Sequence, residues 1–256
     1  MFANRTTKRT WILAVGLLAA AFVTPAAGPA SAQEATAPPL PEDVENVSVP
    51  GWSPRLGPAD APVTIVVFGE YLCPFCKRMG PVLRQLQAAY GDKIRIVYRF
   101  RVVHSGAEEY ALAALAAHKQ GKFWAFHAAL FENQEVLRER PQFVYRLAER
   151  LGLDVEQFRT DMRSESVKKQ LEGDEAEAER LGVSGVPTTF INGRELSGAR
   201  PAEDFGAWID ELLGLDTPTQ FTPPEPSTPP EPVEPAGEPS GEGGAVPDAA
   251  APPGVD

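Results

Sequence analysis

Val63-Thr64-Ile65-Val66-Val67-Phe68-Gly69-Glu70-Tyr71-Leu72-Cys73-Pro74-Phe75-Cys76 holds the only two cysteines of a 256-residue chain, between an apolar run and the start of a helix-like segment. Residues 63–68 are nearly all apolar and rich in β-branched side chains, the pattern of a strand buried on both faces. From 74 to 90 the apolar residues Phe75, Met79, Leu83, Leu86 and Tyr90 recur at three and four, which sets them on one side of a helix. Pro74 suits the first turn of that helix. Pro81, inside it, lacks an N–H and is expected to kink it. Cys73 then sits at the helix mouth and Cys76 on or beside the apolar side, which predicts one exposed sulfur and one sheltered sulfur.

Two thiols at this spacing can close into a disulfide with little backbone movement, and a helix beginning at the first sulfur favours its thiolate, so the pattern points to thiol–disulfide exchange. A structural bridge and half of a metal site are the alternatives. Closing so small a loop contributes only about 2 kcal/mol, against about 3 for a 15-residue loop. Zinc would need two more ligands, and His104, His118 and His127 show neither a second C-x-x-C nor an H-x(3–5)-H spacing. These histidines read as caps or packing residues. Phe123, Trp124, Phe126 and Phe131 read as core, and neither a cofactor nor a metal is expected.

Outward from the dithiol, residues 93–100 alternate as a second strand with Ile94, Ile96 and Tyr98 on one face. A helical connection makes the two strands parallel by default. Residues 105–181 read as helical almost throughout: 107–119, 122–131, 141–151, and 155–181 as one or two helices broken near Gly173. Then 188–191, Asn192-Gly193 and 194–197 form a hairpin pattern with a tight turn. An amphipathic helix over 201–213 follows.

The ends differ from this middle. Arg5, Lys8 and Arg9 precede an apolar stretch over 11–23 and the small-residue triplet Ala30-Ser31-Ala32, the layout of a cleavable signal peptide over 1–32. Thirteen residues at about 1.5 Å each reach only ~20 Å into a hydrocarbon core near 30 Å thick, which argues against a membrane anchor. Residues 33–58 read as a proline-rich linker with a short strand around 44–49, and 59–215 as one compact domain. From 216 to 256 the chain turns to proline, glutamate, glycine and alanine, with seven acidic residues after Asp216 and no basic ones. Such a tail cannot bury enough surface to fold and reads as a stiff solubilising spacer, with a docking segment as the alternative. The net charge of −11 falls to −14 without the leader, half of it in the tail. That balance suits neither nucleic acid nor an anionic membrane surface, and no stable membrane insertion is expected. An extracytoplasmic address, periplasmic or secreted, is one where disulfides persist.

The dithiol segment, the later Gly182-Val183-Ser184-Gly185-Val186-Pro187-Thr188-Thr189-Phe190-Ile191-Asn192-Gly193 and the helical stretch between them resemble the DsbA-like thiol:disulfide oxidoreductases. The resemblance spans residues 63–213. It implies an α/β thioredoxin-like fold with an inserted all-helical subdomain at about 105–181. It further implies an enzyme that introduces disulfides into unfolded or reduced secreted proteins and is reoxidised by a membrane redox partner. A reductase or isomerase, and a non-catalytic chaperone or binding module of the same fold, are the competing readings.

On that resemblance Cys73 is the exchanging nucleophile and Cys76 the resolving thiol. Pro187 is cis beside them, and Val186 offers its backbone to a substrate strand. Pro74 and Phe75 tune Cys73; strong oxidants of the family carry histidine where this chain has Phe75, which donates no hydrogen bond. Lys77 and Arg78 are either a partial substitute for that charge or plain solvated side chains. Thioredoxins keep a buried acid six residues before the first cysteine, where this chain has Val67. Glu70 is the candidate proton relay in its stead, with a solvated loop glutamate as the alternative.

Overall fold

The computed structural model describes residues 45–221; the leader at 1–32 and most of the acidic tail lie outside the described residues. Arg55–Leu56 form a two-residue strand, β1, and β2 spans Val63–Gly69. The helix carrying the dithiol, α1, runs Pro74–Tyr90, with Pro81 inside it, and is followed by β3, Ile94–Phe100. β2 and β3 pair in parallel, Val63 beside Ile94 and Val67 beside Tyr98. Both are buried on both faces, as their near-continuous apolar sequences require.

The insertion comprises α2 (Ala107–Lys119), α3 (Phe123–Glu132), α4 (Gln134–Glu139), α5 (Phe143–Arg150), α6 (Val155–Met162) and α7 (Glu165–Arg180). The hairpin strands β4 (Thr188–Ile191) and β5 (Arg194–Ser197) then lead to α8, Ala202–Leu213. The sheet order is β1-β3-β2-β4-β5, with β1, β4 and β5 pairing antiparallel to their neighbours. Asn192 and Gly193 both have positive φ, 44° and 91°, as a tight primed hairpin turn demands. This is the expected thioredoxin-like arrangement with a helical insertion.

Two buried clusters hold it. Val63, Ile65 and Val67 of β2 and Ile94, Ile96 and Tyr98 of β3 face a large core shared with α1, α8 and most of the insertion. Val66, Phe68, Val97 and Phe190 face the other way, against Ala178, Leu181 and Val183. Phe123, Phe126 and Phe131 are buried in the large core, with Trp124 packed against it.

Three expectations need correction. Residues 45–50 form no strand; Val47 and Val49 pack on the smaller cluster while side chains hold the backbone at Asn46 and Ser48. Ser48 N–H donates to Glu177 Oε1 at 2.7 Å, Ser48 O accepts from Arg99 at 2.8 Å, and Asn46 O accepts from Arg180 at 2.7 Å. Partners supplied by α7 and β3 thus replace a strand ladder. Gly173 lies inside α7 and breaks nothing; a Cβ there would make only ordinary contact with the Trp52 ring, at 3.4 Å. The helix break falls at Arg163, where Ser164 caps α7 by accepting from Val167 N–H. Packing also continues past residue 215. Thr219 donates twice to Asp210, at 2.8 and 2.6 Å, and Phe221 lies over Tyr90.

Arg99, almost wholly buried, donates its Nε–H to Asp174 at 2.6 Å and further bonds to Gly173 O and Ser48 O. Asp174 also accepts from Phe100 N–H at 3.1 Å. These bonds tie β3, α7 and the N-terminal strap together.

Candidate active site

Cys73 is the N-cap of α1, extended at φ −78° and ψ 118°, with Pro74 opening the helix. Its Sγ accepts the Cys76 N–H at 3.3 Å, so the sulfur occupies the place a serine or aspartate oxygen takes in ordinary caps. No acidic residue lies in the first turn. The first-turn amides and the positive end of the helix therefore meet the thiol with no competing carboxylate in that turn.

The two thiols are unbridged, and their acidities are split. The Cys76 thiol, joined by the Cys76 and Phe75 backbone N–H groups, pulls Cys73 down to about 6 against burial and the Glu70 charge. Cys76 moves the opposite way: its hydrogen bond to Cys73, its burial and the neighbouring thiolate all push it up, with the Glu70 amide N–H working against them. The expectation of one exposed sulfur fails. Cys73 is 2% exposed and Cys76 3%, because the chain around Val186 covers the helix mouth and Cys73 Sγ lies 3.4 Å from Val186 O. Hydrogen bonding leads the asymmetry of the two thiols, with burial second for Cys76.

The Val186–Pro187 peptide bond is cis. Phe75 is exposed beside the dithiol, with Arg78 over its ring at 4.4 Å, and Lys77 is exposed to solvent. Glu70 is no solvated loop residue. Its side chain is fully buried; Oε2 accepts from Leu72 N–H at 3.1 Å and Oε1 lies 2.6 Å from His104 Nδ1. His104, expected to cap or pack, is instead bonded to the carboxylate and reaches solvent. His127 is buried among Tyr98, Phe123, Trp124 and Phe131 and shares a 3.0 Å hydrogen bond with Tyr71. Burial drives it down to about 3, so it is a neutral packing residue. His118 stands edge-on to Phe123.

The site has a support that sequence reading missed. Gln134 of α4, almost fully buried, donates to Tyr71 O at 2.8 Å and Cys73 O at 3.1 Å, and Arg138 of the same helix donates to Leu72 O. The three successive carbonyls of Tyr71, Leu72 and Cys73 are thereby held. Gln134, Leu137 and Arg138 have helical spacing, but six residues are too few for periodicity to register.

A sulfur capping a helix N-terminus, a buried second thiol and a cis proline beside them lie together on this sheet, the arrangement of the thioredoxin-like fold that DsbA-like proteins share. The chain belongs to the thioredoxin family, whose model, described as Thioredoxin, matches residues 51–211. A thioredoxin-like oxidoreductase from Silicibacter pomeroyi shares 30% identity and superposes over 64% of this chain and 94% of its own, with a TM-score of 0.56. The alpha-DsbA1 of Wolbachia pipientis, at 19% identity, shares the fold over 66% of this chain and 94% of its own, with a TM-score of 0.59. Among curated proteins, the Na(+)/H(+) antiporter NhaA 3 of Salinispora tropica is 38% identical over 156 residues, 60% of this chain. The chain spans only 24% of that antiporter's length, about a quarter. Among the described residues no helix is long and apolar enough to cross a membrane.

Proposed function

We propose that this protein works outside the cytoplasm as an oxidase, passing its Cys73–Cys76 disulfide to reduced or unfolded secreted proteins. The observation that carries the reading is Cys73 Sγ standing as the N-cap of α1 and accepting the Cys76 N–H beside a second buried thiol, which holds Cys73 down at about 6 and drives Cys76 up. A substrate thiolate attacks Cys73 Sγ, a mixed disulfide forms, and Cys76 leaves. A second substrate thiolate then attacks the substrate sulfur of that bond, completing the substrate disulfide and expelling Cys73 as its stable thiolate. Two electrons have moved to the enzyme, and a membrane redox partner removes them. Stabilising the Cys73 thiolate stabilises the reduced enzyme; each pKa unit of depression corresponds to about 1.4 kcal/mol, or about 30 mV of oxidising power.

Val186 and Pro187 flank Cys73, and their position supports a docking role for an extended substrate strand. Glu70 and His104 form the proton route in this proposal. The buried carboxylate takes up or returns the Cys76 proton, and the half-exposed imidazole links it to solvent. The leader over 1–32, outside the described residues, supports the extracytoplasmic address.

Equilibration of the dithiol with a glutathione redox series tests the direction. A potential toward about −120 mV supports the oxidase, and one near −270 mV makes the protein a reductase. Oxidation of a reduced substrate must also vanish in Cys73→Ala.

A further inference from the structure

The Tyr98 hydroxyl is buried and has no hydrogen-bond partner among the described residues, whereas a buried tyrosine hydroxyl is normally paired. Sheet register sets its place. Tyr98 on β3 stands beside Val67 on β2, and two residues further along β2 comes Gly69. A Cβ at Gly69 would lie 2.4 Å from the Tyr98 oxygen and 3.3 Å from Cys76 Sγ. Hydroxyl and sulfur thus border one small space that glycine keeps open. Tyr71, Phe100, Phe123 and His127 pack around the Tyr98 ring. Burial, and after it the charge of Cys76, hold the Tyr98 hydroxyl well above the usual tyrosine range, so it remains a donor.

We infer that Tyr98 donates a hydrogen bond to Cys76 Sγ when that sulfur carries negative charge, and so speeds the step in which Cys76 leaves. The inference rests on the exchange function proposed above. When a substrate thiolate attacks Cys73 Sγ, the substrate–Cys73 bond forms, the Cys73–Cys76 bond breaks, and its electron pair stays on Cys76. Charge then appears on a buried sulfur, and Val67 offers it no polar group. The Glu70 amide is one donor there. The Tyr98 hydroxyl is the second, a neutral dipole in place before the charge develops, as in sites that stabilise developing oxyanions. It surrenders no proton; protonation of Cys76 falls to Glu70 and His104.

Tyr98→Phe keeps the ring and removes only the oxygen. In the full-length oxidised protein, single-turnover oxidation of a reduced two-cysteine peptide is expected to slow about tenfold, the worth of one hydrogen bond to a charged group. Gly69→Ala, which fills the gap, should slow the same step, and the double variant should be little slower than either, since both disable one contact. Alkylation of Cys73 by iodoacetamide in a Cys76→Ala background should be the same with and without the Tyr98→Phe change. Undiminished turnover in Tyr98→Phe would overturn the inference, as would equal loss in that alkylation control. Independently of any exchange activity, Tyr98→Phe in a Cys73→Ala background should lower the alkylation rate of Cys76 at a fixed alkaline pH. An unchanged rate there refutes the role of Tyr98 alone, whereas absence of exchange in the wild type refutes the proposed function alone.

Discussion

Glu70 Oε1 and His104 Nδ1 lie 2.6 Å apart, joining a fully buried carboxylate to an imidazole that is 47% exposed. The carboxylate comes from the loop between β2 and α1, and the imidazole from the loop that opens the helical insertion. The insertion therefore supplies the partner of the buried acid beside the dithiol, because its first residues return to the end of the parallel strand pair.

If that pair moves the Cys76 proton, Glu70→Gln should slow the Cys76-dependent half of exchange by about tenfold or more, within the range general acid–base groups contribute. His104→Phe should slow it in the same direction. Rapid-mixing kinetics with a reduced peptide would read both, and alkylation of Cys73 should change far less. Equal loss in the two assays would assign Glu70 a purely structural part.

Cys73 alkylation in the wild type should rise with pH through a midpoint at about 6. The Cys76 thiol is the first cause of that depression, so Cys76→Ala should move the midpoint toward the ordinary thiol range near ~8.5, and Cys76→Ser, which keeps a donor, by less. Linkage fixes the companion sign. A folded pKa below the unfolded one makes the Cys73 contribution to the stability of the reduced protein complete above ~8.5, and it is lost as pH falls through about 6. Urea denaturation of reduced and oxidised protein across that window should show the reduced form gaining on the oxidised form as pH rises.

Gln134→Ala should destabilise the protein by about 1–3 kcal/mol, since it leaves the Tyr71 and Cys73 carbonyls without their side-chain donor. Exchange should slow as well, because the same bonds fix the backbone at Cys73. Chemical denaturation and single-turnover kinetics together check this, and an effect on stability with none on rate would confine Gln134 to the fold.

Truncation after Phe221 should leave the melting temperature unchanged, whereas truncation after Leu215 should lower it by several degrees. The difference is the packing of Phe221 against Tyr90 and the two hydrogen bonds from Thr219 to Asp210, together worth about 1–3 kcal/mol. Gly206→Ala should mimic the shorter chain in part, since its Cβ would meet the Phe221 ring at 2.5 Å. Differential scanning calorimetry of the three proteins would decide.

Sequence alone determined what local periodicity and covalent spacing control. The run at 63–68, the three-and-four repeat through Tyr90, the Asn192-Gly193 turn and the two cysteines at the head of a helix each express themselves over a few residues, so strand, helix, hairpin and dithiol were legible. Tertiary structure alone decided what depends on distant groups meeting. It buried Cys73 beneath Val186, joined Glu70 to His104, brought Gln134 to the dithiol loop, and left the Tyr98 oxygen facing Cys76 across Gly69. Those contacts span from about thirty to more than a hundred residues of chain, except for the short reach across Gly69. No local pattern encodes them, because burial and charge at a site are set by whatever the folded sheet and insertion bring alongside it.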